Sequence, residues 1–357
     1  MPHPEFHIEA IPPGTKKLYR LAVPFGGNLQ SLEEHIALAC SPLSSRAEIH
    51  SEIARWLESG TLFLPILAAR GVDDGETLVV TSGIHGDEYE GMEAMYRVFE
   101  QIKPQDMRGT FLGVPVSNAP AFWLGVRCNP IDSKNLARVF PGTAQGSPTE
   151  QLAHTLLERV LRHASLYVDL HSAGRNYHML TLCGYCTAGE QSTRAADAAN
   201  CFGAPVIWAH PPVPPGRTIS ATLDLGIPSL YTEAFGGGHA RPEDIALYSR
   251  GLSNLLRFMK ITELTEATPE RQTPLRLGGP GDLDAAINCH HSGLFFSSVR
   301  PGTHLKRGEG LGILRDLDGR ILETVLAPQD GVLVLIRATA RTFAGELVAA
   351  LASEQLP

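Results

Sequence analysis

Residues 76–88 read ETLVVTSGIHGDE and join an apolar run to a cluster of polar side chains. A short apolar run that is closed by a glycine, here Gly83, is typical of a strand buried inside a sheet. The residues that follow, 85–100, carry apolar side chains at helical spacing. These side chains are Met92, Met95, Tyr96 and Phe99. The stretch therefore predicts a buried strand followed by a helix, which is the repeating unit of a parallel sheet.

The same alternation continues along the chain. Residues 110–116 and 166–170 are short apolar runs and are predicted to be strands. Residues 149–163 and 243–260 have helical periodicity and are predicted to be helices. Strands that alternate with helices predict an α/β fold, in which a mixed, mostly parallel sheet has helices on both faces.

Composition divides the 357 residues into four predicted regions. Residues 1–45 form a strand-like N-terminal extension, and residues 46–261 form the α/β domain. Residues 262–281 are polar and rich in Pro and Gly, which is typical of a linker. Residues 282–357 contain short apolar segments separated by Gly and Asp, which predict a small C-terminal all-β domain.

Charge and composition exclude several classes of protein. The formal net charge of -8 argues against a nucleic-acid partner, because such proteins need clustered Lys and Arg. No apolar run reaches the roughly 18 residues of a membrane span, and no secretory signal is visible. The six cysteines are scattered, which favours free thiols in a reducing compartment. We therefore expect a cytoplasmic protein that acts on a small-molecule substrate, without nucleic-acid or membrane partners and with homo-oligomer formation left open.

The sequence GIHGDE at residues 83–88 is the strongest chemical signal. His85 and Glu88 are three residues apart and can point at one metal ion. His171 follows another predicted strand, and parallel strands end at the same edge of a sheet. Two histidines and one carboxylate are a common ligand set of catalytic zinc, so we expect one Zn²⁺ per chain. Asp169 is predicted to orient an imidazole ligand from behind. The alternative is that these polar residues only cap helices, which leaves a third ligand at a second strand end unexplained.

Four motifs in this order resemble the succinylglutamate desuccinylase and aspartoacylase family. They are GIHGDEYEG at 83–91, NPIDSKNLARVFPG at 129–142, VDLHS at 168–172 and YTEAFGGG at 231–238. The resemblance is strong between residues 60 and 240, and it is greatest to members of the acetyl-diaminobutyrate deacetylase type. It implies a catalytic domain similar to the zinc carboxypeptidases.

The resemblance also implies roles for individual residues. His85, Glu88 and His171 match the zinc ligands of the family. Glu233 matches the general base, which takes a proton from water and later delivers it to the leaving amine. Arg127 matches the arginine that holds the carbonyl oxygen while negative charge develops on it.

The substrate-binding part of the family pattern is carried by Arg138 and Asn135. A guanidinium suits a substrate carboxylate, because its paired donors orient the group as well as bind it. Many members have Asn-Leu-Asn-Arg at this point, whereas this chain has Ala137 before Arg138. The missing amide leaves open whether the substrate presents an α-carboxylate, but it does not affect the metal chemistry.

The expected function is therefore hydrolysis of an acyl bond in a small N-acylated amino acid or amine, and an amide is the favoured bond. An ester substrate, or a carboxypeptidase-type reaction at the same site, remains open. A non-catalytic binding protein that keeps the fold is a further alternative. The complete set of ligands and base favours an enzyme, because function is argued from the site and not from the fold.

The last 65 residues, 293–357, resemble the barrel-like β fold of biotinyl and lipoyl carrier domains. In those carriers a lysine at a hairpin tip takes the prosthetic group. The matching tip here, residues 316–320, reads DLDGR and contains no lysine. We therefore expect a domain without biotin or lipoate that covers the mouth of the active site or mediates oligomer contacts.

Overall fold

The computed structural model of the chain describes residues 3–24, 59–262, 273–281, 283 and 286–355. The predicted boundary at residue 45 and most of the first half of the predicted linker lie outside these residues. The helices are α1 (Glu90–Gln101), α2 (Ala119–Leu124), α3 (Pro148–Arg159), α4 (Ser192–Phe202), α5 (Thr218–Asp224) and α6 (Pro242–Phe258). Short 3₁₀ helices lie at Ile8–Ala10, Pro104–Asp106, Leu136–Arg138 and Leu161–His163. The strands are β1 (Thr15–Pro24), β2 (Thr61–Arg70), β3 (Asp73–Ser82), β4 (Arg108–Val114), β5 (Leu166–Ser172), β6 (Tyr177–Met179), β7 (Leu182–Cys186), β8 (Val206–His210), β9 (Ser229–Ala234), β10 (Leu275–Gly278), β11 (Ile287–Asn288), β12 (Gly293–Ser297), β13 (His304–Leu305), β14 (Gly310–Arg315), β15 (Ile321–Leu326), β16 (Gly331–Arg337), β17 (Arg341–Thr342) and β18 (Leu347–Glu354).

One large sheet organises the described chain, with the strand order β1-β2-β4-β3-β5-β9-β7-β8-β10-β18-β16-β13. Its centre, β4-β3-β5-β9, is parallel throughout. Antiparallel strands flank this centre, with β2 beside β4 and β7 beside β9. The predicted α/β fold with a mixed sheet is confirmed.

Both faces of the central sheet are covered by helices. Leu78 and Val80 of β3 belong to the hydrophobic layer that contains side chains of α1, α4 and α6. Val79, between them, belongs to the opposite layer, which contains side chains of α3. Successive side chains of a strand point to opposite faces, so a continuous apolar run is buried on both sides. This burial explains why residues 78–80 of β3 form a continuous apolar run.

The N-terminal extension joins the α/β sheet. Strand β1 pairs antiparallel with β2 along its whole length, from Thr15 opposite Arg70 to Pro24 opposite Thr61. Its buried residue Leu21 lies in the same core layer as Leu112 of β4. The sequence alone left open which domain this segment joins.

The C-terminal region has its own antiparallel sheet, β15-β14-β12-β17, and the predicted all-β character is confirmed. It is also tied to the large sheet, because β18 pairs with β10 and β16 pairs with β6. The segment Leu275–Gly278, which falls in the predicted linker, is strand β10 and also pairs with β8. Hydrogen bonds on both sides hold this segment as a strand. Composition cannot reveal such partners, because they lie far away in the sequence.

None of the helices that the structure describes combines the length and the apolar character that crossing a bilayer demands.

Candidate metal centre and active-site cavity

The candidate site forms where three neighbouring parallel strands end. Strand β3 ends at Ser82, and His171 and Glu233 lie near the ends of β5 and β9. His171 and Glu233 are direct partners in the register of β5 and β9. His171 and Glu233 are 62 positions apart in the sequence, and they meet at one edge of the sheet.

The loop between β3 and α1 carries the other two predicted ligands. Gly83 has φ +62°, a left-handed conformation that favours glycine. At Gly86 a Cβ atom would lie 2.0 Å from the carbonyl carbon of Ala121, so a side chain has no room there. Helix α1 begins at Glu90 and not at residue 85 as predicted. The glycines thus hold His85 and the ligand that follows it in a loop ahead of the helix.

His85, Glu88 and His171 form a compact cluster, as predicted. Nδ1 of His85 lies 2.7 Å from Oε1 of Glu88, and Nδ1 of His171 lies 2.8 Å from Oε2. One ligand atom from each residue lies within 4.8 Å of the others. His85 and Glu88 are buried, and His171 is nearly so.

The far side of each imidazole is bound to an oxygen. Nε2 of His85 lies 3.1 Å from Oδ1 of Asn135, an oxygen that already accepts from the backbone N–H of Ala137. Nε2 of His171 lies 3.0 Å from Oδ2 of Asp169. These acceptors favour the tautomer with its proton on Nε2, so that each Nδ1 offers a lone pair when the ring is neutral. Two such nitrogens and a carboxylate that converge in a buried place form a set of ligand atoms that can hold a cation. The donor set of two nitrogens and a carboxylate fits zinc.

Asp169 is held in position by hydroxyl groups on both sides. Thr81 Oγ1 donates to Oδ1 at 2.8 Å, and Thr218 Oγ1 donates to Oδ2 at 2.5 Å. Burial acts to raise the pKa of Asp169, but the charge of His171 and these hydroxyls outweigh it and lower the pKa. Asp169 is therefore ionised and fixed behind the imidazole of His171, in the place that the sequence predicted.

The electrostatics of the ligand cluster keep Glu88 in its ionised form, which is the form that binds metal ions. Burial acts to raise the pKa of Glu88, but the two histidines beside it lower that pKa well below its usual range. Burial acts to lower the pKa of His171, but Asp169 and Glu88 raise it. Glu88 thus stays ionised, and a proton on His171 supplies positive charge beside it.

Glu233, the predicted general base, lines the cavity beside His171. Burial raises the pKa of Glu233 to about 8, the charge of Glu88 raises it further, and His171 and Arg127 oppose the shift. A carboxylate with a pKa near neutrality can both accept and return a proton at physiological pH. This geometry suits a residue that moves a proton between water and a leaving group.

Arg127 lies at the open side of the cluster, with about half of its side chain exposed. Its NH1 atom is 3.2 Å from Nδ1 of His85 and donates to Oε1 of Glu88 at 3.3 Å. A guanidinium beside the ligand atoms is well placed to bind an oxygen on which negative charge develops.

A cavity of about 450 Å³ opens over the cluster. Arg127, Arg138 and Arg217 line it, together with His171 and Glu233. Its volume lies within the range of small-molecule sites, which is roughly 300–1,000 Å³.

Arg217 and Glu346 line the cavity but were not among the site residues predicted from the sequence. Arg217 directly precedes α5, whose first residue Thr218 binds Asp169, so a motif search around the ligands does not reach it. Asn135, predicted to bind substrate, uses its amide oxygen for His85 and Ala137. Its part in substrate binding stays a prediction.

The fold and this site define a hydrolase of the deacylase class. The sequence profile of the succinylglutamate desuccinylase/aspartoacylase catalytic domain matches residues 74–259. The chain belongs to this family, and the resemblance in the four motifs is confirmed.

Individual relatives support the same class. The chain is 30% identical over 299 residues to the N-alpha-acetyl-L-2,4-diaminobutyric acid deacetylase of Halomonas elongata, a match that covers 82% of this chain and 86% of the relative. The solved succinylglutamate desuccinylase/aspartoacylase of Rhodobacter sphaeroides is 29% identical with a TM-score of 0.74, covering 84% and 91% of the two chains. The product-bound ectoine utilization protein EutE (DoeB) of Ruegeria pomeroyi is 28% identical with a TM-score of 0.75, covering 82% and 90%.

Proposed function

We propose that this protein is a zinc-dependent deacylase that hydrolyses the amide bond of a small N-acylated amino acid. The convergence of two imidazole Nδ1 atoms on the two oxygens of Glu88 carries the proposal. Family membership and the deacetylase relative support the reaction class.

The metal-binding roles belong to His85, Glu88 and His171. A zinc ion held by them supplies a Lewis acid and lowers the pKa of water that it binds. Asn135 and Asp169 keep both Nδ1 atoms turned toward Glu88, where the ion would be held, by binding the opposite ring nitrogens. These contacts fix the tautomer of each ligand before any substrate arrives.

The proton-transfer role belongs to Glu233. Its carboxylate takes a proton from the attacking water and later returns it to the nitrogen of the leaving amine. Arg127 binds the carbonyl oxygen of the acyl group, and its fixed positive charge favours the negative charge that develops there. The partial burial of the site strengthens both interactions.

The substrate role belongs to Arg138 and Arg217. Both line the cavity, and their backbones are neighbours, because the N–H of Phe140 donates to the carbonyl of Gly216 at 3.0 Å. A second guanidinium offers a substitute for the amide that Ala137 removes. We therefore propose that the substrate presents a carboxylate and that the α-carboxylate of an N-acyl amino acid fits this need.

The test is a substrate panel on the purified, zinc-loaded protein. The panel contains Nα-acetyl-L-2,4-diaminobutyrate, N-acetylaspartate, N-succinylglutamate, a matching ester and a dipeptide with a free C-terminus. We expect amide hydrolysis of at least one N-acyl amino acid, loss of it on treatment with a chelator, and its recovery when zinc is returned. Turnover that survives complete metal removal, or cleavage of the ester or dipeptide alone, contradicts the proposal.

A further inference from the structure

The C-terminal β region contributes a carboxylate to the wall of the catalytic cavity. Glu346 directly precedes β18 and lines the cavity together with Leu335 and Leu347. Asp169 and Glu233, the other cavity-lining carboxylates among the described residues, already have roles behind His171 and as the base. Glu346 takes part in neither.

The side chain of Glu346 is held in one orientation through a single oxygen. Oε2 accepts from Arg337 NH2 at 2.9 Å, from Thr342 Oγ1 at 3.2 Å and from the backbone N–H of Phe343 at 2.9 Å. Arg337 is buried, and its guanidinium also donates to the carbonyl of Arg341. Among the described residues, all three contacts of the Glu346 side chain go to Oε2, which leaves Oε1 available to another partner. About two fifths of the side chain is exposed (41%).

Tyr177 connects this carboxylate to the catalytic part of the cavity. Its hydroxyl accepts from Arg337 NH1 at 3.5 Å, so it shares the guanidinium that binds Glu346. Burial raises the pKa of Tyr177, although the positive charges of Arg337 and Arg127 oppose this shift. Tyr177, Glu346 and the predicted carbonyl-binding Arg127 all line the same cavity.

The chemistry of this wall suits a positive group on a ligand. The rings of Tyr177, Trp208 and Tyr231 line the cavity, and aromatic faces attract ammonium groups. A fixed carboxylate oxygen adds a charge-assisted acceptor. Arg138 and Arg217 supply the opposite charge, as needed for a ligand with both a carboxylate and an ammonium.

We propose that Glu346 binds an ammonium group on the side chain of the substrate, so that the enzyme prefers Nα-acyl diamino acids to neutral N-acyl amino acids. The inference rests on the proposed deacylase function. It gives the C-terminal β region a part in substrate selection. The simpler role, in which Glu346 only neutralises the buried Arg337, predicts no such preference.

The experiment compares two substrates of the same shape on wild-type protein and on Glu346→Gln. Nα-Acetyl-L-2,4-diaminobutyrate ends in an ammonium, and Nα-acetyl-L-norvaline ends in a methyl group at the same position. We expect Glu346→Gln to lower kcat/KM for the cationic substrate by about 10- to 100-fold, mainly through KM, because a hydrogen bond to a charged group is lost. For the norvaline compound we expect less than about a threefold change.

The ratio of the two kcat/KM values separates a binding role from a folding defect, since misfolding lowers both alike. Glu354→Gln is the matched control, because Glu354 is an exposed carboxylate of the same region that pairs with His304. If Glu346→Gln does not fold, Glu346→Asp keeps the charge and shortens the reach, and the same ratio is expected to fall by a smaller factor. An unchanged ratio in the folded variant overturns the inference while deacylation itself stands. Wild-type protein that cleaves no N-acyl amino acid overturns the proposed function instead.

Discussion

The candidate metal ligands come from the ends of two neighbouring parallel strands, whereas the substrate side of the cavity is assembled from loops and the C-terminal β region. His85 and Glu88 lie in one loop after β3, and His171 lies in β5, which pairs with β3. By contrast, Arg138, Arg217 and Glu346 are brought to the cavity by three separate parts of the chain. The comparison indicates that the type of reaction depends on residues at the ends of the sheet strands. Selectivity for the substrate depends on other segments, whose sequence can change without altering the sheet.

The largest expected effect is at the sheet edge. His171→Ala removes a ligand whose Nδ1 faces Glu88, so we expect loss of bound zinc and of detectable turnover. Metal analysis of the purified variant measures the first effect and a product assay the second. His304→Ala, at an exposed histidine, is the control. Full zinc content in the His171 variant would show that the ligand set is wrong.

The next effect concerns proton transfer at the same edge. Glu233→Gln keeps the shape of the side chain but cannot accept a proton, so we expect turnover to fall by about 100-fold or more with zinc retained. Glu243→Gln, on the exposed start of α6, is the control. A variant with near wild-type turnover would assign the proton transfer to another group.

The pH profile gives a second test of the same residue. Burial raises the pKa of Glu233 to about 8, and positive charge bound nearby lowers that value. Below its pKa the carboxyl is protonated and cannot act as a base. We therefore expect kcat/KM to fall as the pH decreases through a pKa at or below 8, and we expect this acid limb to be absent from Glu233→Gln. An identical acid limb in both proteins would contradict the assignment.

A smaller effect is expected at Asp169, which contacts the ligand His171 but is not itself a ligand. Asp169→Asn weakens the acceptor that holds Nε2 of His171, so zinc affinity should fall by about 10- to 100-fold. Competition with a chromophoric chelator measures the affinity, and Asp197→Asn on the exposed face of α4 is the control. Unchanged affinity would mean that His171 does not need Asp169 for its orientation.

The smallest effect among these variants is expected on the substrate side. Arg138→Gln removes one of the two guanidiniums that we assign to the substrate carboxylate, and Arg217 remains. We expect KM to rise about tenfold with kcat nearly unchanged, which is typical of a contact made equally in the ground and transition states. Arg97→Gln on α1 is the control. An equal loss in kcat would instead place Arg138 among the groups that act on the reacting atoms.

The sequence predicted features that depend on residues close together in the chain. It was less informative about features that depend on pairing between distant segments. A glycine-closed apolar run and a His–Glu pair three residues apart predicted β3 and two ligands, and the strand-end rule added His171. The start of α1 was misplaced because the conformation of Gly83 and the close approach at Gly86 become visible only with their neighbours in space. Glu346 could not be found at all, because its place in the cavity depends on the pairing of β16 with β6, more than 150 residues away.

The central claim is that His85, Glu88 and His171 bind one zinc ion through two imidazole nitrogens and a carboxylate. X-ray absorption at the zinc edge, together with metal quantification on the purified chain, measures it most directly. The account predicts about one zinc per chain with two nitrogen ligands near 2.0–2.1 Å and oxygen ligands completing the shell. It also predicts that this spectrum is lost in the double variant His85→Ala, His171→Ala. A sulfur-dominated shell, or an unchanged spectrum in the double variant, would contradict the account.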